Sequence, residues 1–440
     1  MRASIFELLA PGAIGRFWPL VDGFPEPPEM QGALRRDDEG YWVIDVEAHR
    51  TTDGDDRPAP TAVVGVLGDE TVLLTDLRRT EDRRPGMGQR IHVIRLWFST
   101  LVTGPDDVLK VAAAGIVMAE VIFPDHMVWA SYSRPDWRYR RPNDPLGEGY
   151  SLDFPKYDAT RHAIGNGMSL DVTATWRGTH DREQLHIPSG LSLKLTAKEP
   201  VATKQYIETF SNLRDLISLC WVGRVMPVPG AGRVNNAQTE DGRFWSQQLL
   251  EEHPAPPAVI NDFPVVRLKD LGGPRAFVRW LIICQHFRRA TRGVSEGLYV
   301  GASVETRVLN TVSAIEYWVK RHRGTAAWAR ADRSGAQNAT HRMIKHLHPT
   351  FKSWVGDGQQ FSKRLTADYN SIKHSDAFTT DYDLLHMYTV VARLILIADL
   401  LNEVAGSTRP GELIAKHFWW IAKEVKTSLP DRKRRPSPRT

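Results

Sequence analysis

The chain has 440 residues, 42% hydrophobic and 25% charged, as in an ordinary globular protein of about two or three domains. Two cysteines, Cys220 and Cys284, exclude a disulfide framework or a thiolate zinc site and point to a reducing cytoplasm. The net charge of +5 conceals a division: residues 271–440 hold 27 Lys+Arg against 14 Asp+Glu, and residues 1–270 hold 30 against 38. Such asymmetry between halves fits a nucleic-acid-facing part beside an acidic one.

The first 200 or so residues read as mostly β. Tyr41–Val46 is β-branched and aromatic. Thr61–Leu67 and Glu70–Leu77 flank Gly68-Asp69, which predicts a hairpin. Arg90–Ser99, Met127–Ser133, Ser169–Trp176 and Leu191–Ala197 read as further strands, and Arg134–Pro155 as loop. Short strands with turn signals predict an antiparallel sandwich or a partly open barrel. At Lys204–Trp221 the apolar period changes to three and four, as in a helix.

Residues 223–270 hold six prolines and read as a connection with a strand or two. Helices are expected at Arg275–Arg292, Ser303–His322, Thr340–Trp354 and Gln359–His374. Tyr382–Val404 is the expected central helix, and Pro410-Gly411 breaks the chain before Glu412–Thr427. The fold class is therefore α+β, with a β-rich half and an all-α bundle. No apolar run approaches the roughly 18 residues of a membrane span. The N-terminal MRASIFELLAPGAIGRFWPL lacks a signal-peptide layout. No membrane partner is therefore expected.

One constellation could carry chemistry. Asn370 and His374, four apart near the end of a helix, share a face, and Lys373 flanks the same groove. Histidine moves protons near neutral pH, while lysine and asparagine stabilise charge building on phosphorus oxygens. On RNA the substrate supplies its own nucleophile, the 2′-hydroxyl. The plainer reading is a solvated, polar helix end.

The phrase YNSIKHS (369–375) resembles the Arg-Asn-x-x-x-His element of the HEPN superfamily. ETRVLNTVSAIEYW (305–318) resembles the preceding helix of its ApeA-like branch. Gln31–Leu34, Val64–Gly68 and Val72–Thr75 resemble the β-rich N-terminal domain of ApeA-type antiphage proteins. This resemblance implies an abortive-infection ribonuclease in four parts. These are a β-rich sensing domain (1–222), a linker region (223–272), a HEPN-like bundle (273–428) and a basic tail (429–440). It implies metal-independent RNA cleavage leaving cyclic phosphate ends, no cofactor, and a homodimer or higher homo-oligomer, in the cytoplasm that the cysteine usage indicates; a phage-derived protein trigger is expected at the aromatic–arginine segment 129–141. His374 matches the family's histidine and Asn370 its polar residue. Tyr369 stands at the arginine position and has neither positive charge nor a bidentate fork. Lys373 could supply that charge. If it does not, the bundle is a non-catalytic RNA- or protein-binding module.

Arg342, His346 and His348 lie on an expected cationic helix interrupted by Pro349 and could grip phosphate. The plainer reading is a solvated basic face. His341, His346 and His348 lack a Cys or carboxylate at ligand spacing, so no metal is expected. Gly165-Asn166-Gly167 reads as a turn. Trp129, Tyr132, Trp137 and Tyr139 alternate with arginines and could bind a single strand or a trigger.

Overall fold

The computed structural model describes residues 12–425 apart from 50–59, 84–90, 251–262, 323–334 and stretches of six residues or fewer. Two units result: residues 1–214 with 226–254, and residues 215–225 with 255–440.

The first unit is built on one 15-stranded sheet. Its path runs from Thr160–Gly165 at one end to Arg78–Arg83 at the other. The expected hairpin is present, with Leu67 opposite Glu70 and Gly68-Asp69 as its two-residue loop. The Gly165-Asn166-Gly167 turn is also present, and all three residues have positive φ. The proline-rich segment after residue 223 adds Gly232–Asn235 and Gly242–Ser246 to the same sheet.

Alternation explains the burial. Phe17, Leu34, Ile44 and Leu74 are fully buried, each contributing about 1.5–3 kcal/mol. Gly65 sits opposite Phe17. A Cβ there would lie 2.3 Å from the Phe17 ring, so only glycine admits the aromatic side chain. Several polar groups between strands are paired. Asp45 receives Arg95 Nε at 3.0 Å and also pairs with Arg35. Gln247 accepts from Trp42 N at 2.8 Å and donates to Trp42 O at 2.8 Å. Asp171, buried, takes both arms of Arg161 at 2.7 and 2.8 Å.

Two expectations about this unit fail. Met127–Ser133 is a series of turns closed by Ala130 N to His126 O and Tyr132 N to Met127 O. Met127 and Trp129 are buried two residues apart, which imitates strand alternation. The expected loop after Arg134 contains a small hairpin pairing Asp136–Arg140 with Gly149–Asp153.

Helix α1 (Thr203–Trp221) has its expected bounds within one residue. In the first unit, Tyr206 donates to Ile116 O at 3.2 Å, and the Phe210 ring stacks on Phe244 at 6.4 Å.

The second unit is helical: α2 (Arg275–His286), α3 (Arg288–Tyr299), α4 (Val304–Arg321), α5 (Ala336–His346), α6 (Pro349–Val355), α7 (Gly358–His374), α8 (Tyr382–Ala405) and α9 (Arg409–His417). Helix α4 packs against α3, α5, α7 and α8. Ser303 caps it by accepting from Thr306 N at 3.3 Å, and Asp381 caps α8 through Asp383 N and Leu384 N.

Arg275–Arg292 was expected as one helix, but Phe287 interrupts it at φ −125° and ψ 36°. Its ring packs 4.5 Å from both Trp318 and His322. The apolar stripe continues in register across the break, so periodicity did not reveal it. Thr340–Trp354 likewise divides into α5 and α6, at the boundary Pro349 marks.

Helix α8 corrects the statement about apolar runs. Its 24 residues are long and apolar enough to cross a membrane. Most of that span is buried inside the unit, Leu385, Leu394 and Val404 among it, which makes α8 the core of the bundle. Cys220 and Cys284 are buried free thiols, and burial pushes the Cys284 thiol up, away from the reactive thiolate.

Candidate active site

Helix α7 presents the constellation at its last turns. Leu365, Asp368 and Tyr369 face the interior, while Asn370, Lys373 and His374 are exposed. The 3.6-residue period produces this division and places Asn370 and His374 side by side, about 5–6 Å apart at Cβ. Lys373 and His374 also lie in the last turn, where cations suit the helix dipole.

Tyr369 occupies the position between core and groove. It is 8% exposed. Its hydroxyl lies 3.5 Å from Ser313 Oγ on α4, and Lys373 Nζ sits 5.8 Å from its ring centre. The tyrosine therefore supports the lysine ammonium from below and adds no charge of its own.

The neighbouring helix α4 supports this turn from mid-helix. Ser313 of α4 meets Tyr369. Eight residues earlier, Glu305 accepts from the Tyr382 hydroxyl, and Tyr382 opens α8 soon after α7 ends. Phe361, near the start of α7, packs 5.6 Å from Tyr388 of α8. The Glu305 carboxyl is held below the usual carboxylate range. The chief cause is its own backbone amide, followed by the Ser303 and Tyr382 hydroxyls.

Arg342 and His346 lie elsewhere. Ile344 packs beside Gly358, the first residue of α7, which is about 24 Å of helix from His374. His346 is directed at Asp399, with Nδ1 3.3 Å from Oδ1. The other oxygen of that buried carboxylate accepts from Trp318 Nε1 at 2.7 Å. The structure therefore brings Tyr369, Asn370, Lys373 and His374 together and separates Arg342 and His346 from them. His348 and the tail 429–440 lie outside the described residues. Among the described residues, no three His, Cys, Asp or Glu side chains gather as metal ligands.

The aromatic–arginine segment also divides. Trp129 is buried and Tyr132 donates to Val172 O at 3.1 Å. Tyr139 and Arg138 are exposed on the small hairpin. Arg393 and Asp399 are further candidates that motif spacing alone does not single out. A charge inside the otherwise apolar α8 is the signal that marks both.

These features define an α+β protein in two parts, with a β-rich half followed by a helical bundle that exposes a polar, histidine-bearing turn. Residues 12–247 match the family model of the ApeA N-terminal domain 1, more than half of the chain, and the chain belongs to the ApeA family. Membership points to antiphage defence. No curated protein matches the chain.

Proposed function

We propose that this chain is an abortive-infection protein whose helical unit is a HEPN-type ribonuclease. In this reading it cuts RNA by metal-independent transesterification in the cytoplasm once the β-rich half has met a phage-derived trigger. The observation that carries the reading is the exposed turn of α7, with Asn370, Lys373 and His374 on one side and Tyr369 buried beneath. ApeA membership supplies the defence context.

The chemistry follows from the residue types. His374 accepts the 2′-hydroxyl proton as that oxygen attacks the adjacent phosphorus. The bond to the 5′-oxygen breaks, and the departing oxygen takes a proton. The products are a 2′,3′-cyclic phosphate and a 5′-hydroxyl end. Lys373 and Asn370 hold the phosphoryl oxygens as charge builds on them. Pairing two copies would place two such histidines at one cleft, one as base and one as acid.

The test is degradation of RNA by the purified chain in EDTA, with and without phage lysate, beside His374→Ala. Cyclic phosphate ends from the parent chain alone support the reading. Equal cleavage by both proteins removes His374 from the mechanism.

A second reading, an RNA- or protein-binding module without catalysis, is favoured by Tyr369 at the arginine position. RNA binding without cleavage, unchanged in His374→Ala, would select it.

A further inference from the structure

Two arginines of the second unit, Arg307 and Arg393, line one cavity. Arg307 lies in the first turns of α4 and Arg393 in the first half of α8. Nε and Nη2 of Arg393 and Nε of Arg307 are shut off from solvent and have no hydrogen-bond partner among the described residues. The cavity between them has a volume of about 140 Å³. Asn310 and Thr389 add polar groups to its wall, and His386 stands at its edge.

Such an arrangement is costly as it stands. A guanidinium loses its hydration on burial and needs a partner to replace it. Here the charge that bears on Arg393 is another cation, Arg307. Burial, with the repulsion of Arg307 added, pulls the Arg393 guanidinium down to about 10. Helix α3 leaves the space open. Gly297 faces the Arg393 guanidinium, and a Cβ there would lie 3.6 Å from Cζ, an ordinary contact. The N-terminus of α4 also borders the cavity and adds its partial positive charge. Glu296 is the one carboxylate on the lining, and it is exposed, where water and salt screen it.

We propose that this cavity is a phosphoryl-binding site, in which Arg307 and Arg393 together grip one phosphate group and Asn310 supplies a further donor. A phosphate dianion matches two guanidiniums, whereas a single carboxylate would leave one uncompensated. The volume admits a phosphoryl head but little more. The rest of the ligand therefore lies toward the open side, either as a nucleoside or as continuing RNA. The site lies between α3, α4 and α8 and does not depend on cleavage: it holds if the chain binds phosphate and cuts nothing.

The experiment measures binding of inorganic phosphate, a 5′-mononucleotide and a short RNA to the full chain at fixed ionic strength, by calorimetry and by thermal shift. Arg393→Gln and Arg307→Gln are the variants; the second alters the less enclosed arginine and so guards against loss of folding at the first. Phosphate or mononucleotide should bind the parent chain and raise its melting temperature, and each variant should weaken that binding about 10-fold or more. Binding of the RNA alone, with the same loss in the variants, supports the site and assigns its phosphoryl group to RNA. Unchanged affinity in a folded variant, or no binding of any of the three to the parent chain, overturns the proposal. His374→Ala should bind phosphate as the parent does, which separates this site from the cleavage chemistry.

Discussion

Lys373 Nζ stands 5.8 Å from the centre of the Tyr369 ring, one helical turn along α7 from the buried residue that supports it. The ring, rather than the hydroxyl, is then what holds the ammonium toward the groove. Tyr369→Phe keeps the ring and should retain RNA cleavage within about threefold. Tyr369→Ala empties a buried site and should cost about 3–5 kcal/mol of stability. Loss of cleavage in a fully folded Tyr369→Phe would give the hydroxyl a chemical part that this geometry does not.

The end of the bundle opposite His374 should matter to stability and not to turnover. Removing the Asp399 carboxylate leaves the Trp318 indole N–H buried without its acceptor, at a cost of about 1–3 kcal/mol. Asp399→Ala should therefore shift the urea midpoint downward. His346→Ala, which removes only the more exposed partner, should leave cleavage per folded molecule within about twofold. A large loss of cleavage on His346→Ala would return that histidine to the site.

Gly65→Ala should destabilise the β-rich unit. The added methyl group meets the Phe17 ring at 2.3 Å and has no room to move, since the strand is paired on both sides. The expected loss is about 1–3 kcal/mol, read by thermal unfolding. Phe17→Leu with Gly65→Ala should recover part of it, since the smaller side chain vacates the contact.

Much of this was legible beforehand and some was not, for identifiable reasons. The Gly68-Asp69 and Gly165–Gly167 turns were readable because their residues specify backbone conformation directly. Helix α7 and its polar last turn were readable because the apolar period holds as far as Tyr369. The break at Phe287 was hidden because the stripe keeps phase across it and a tertiary contact with Trp318 fixes the turn. Met127–Ser133 misled because buried residues two apart need not be a strand. Arg307 and Arg393 lie 86 positions apart, and only the packing of α4 on α8 makes them neighbours.

The Glu305–Tyr382 contact gives a pH signature. Glu305 titrates lower in the folded chain than in the unfolded one. Its contribution to stability is therefore present above the unfolded value, about 4.3, and is lost as pH falls through the folded value. Tyr382→Phe removes one of the hydrogen bonds that stabilise the carboxylate and should move the Glu305 midpoint upward in a carboxyl NMR titration. An unmoved midpoint would leave the backbone amide and Ser303 as its sole supports.

The most direct measurement of the central claim is RNA integrity in infected cells that make the chain or its His374→Ala variant at equal levels. After infection, RNA fragments ending in 2′,3′-cyclic phosphate should accumulate with the parent chain and be absent with the variant, and phage yield should fall only with the parent. Equal fragmentation with both chains, or protection by both without fragmentation, would contradict RNA cleavage by the α7 turn.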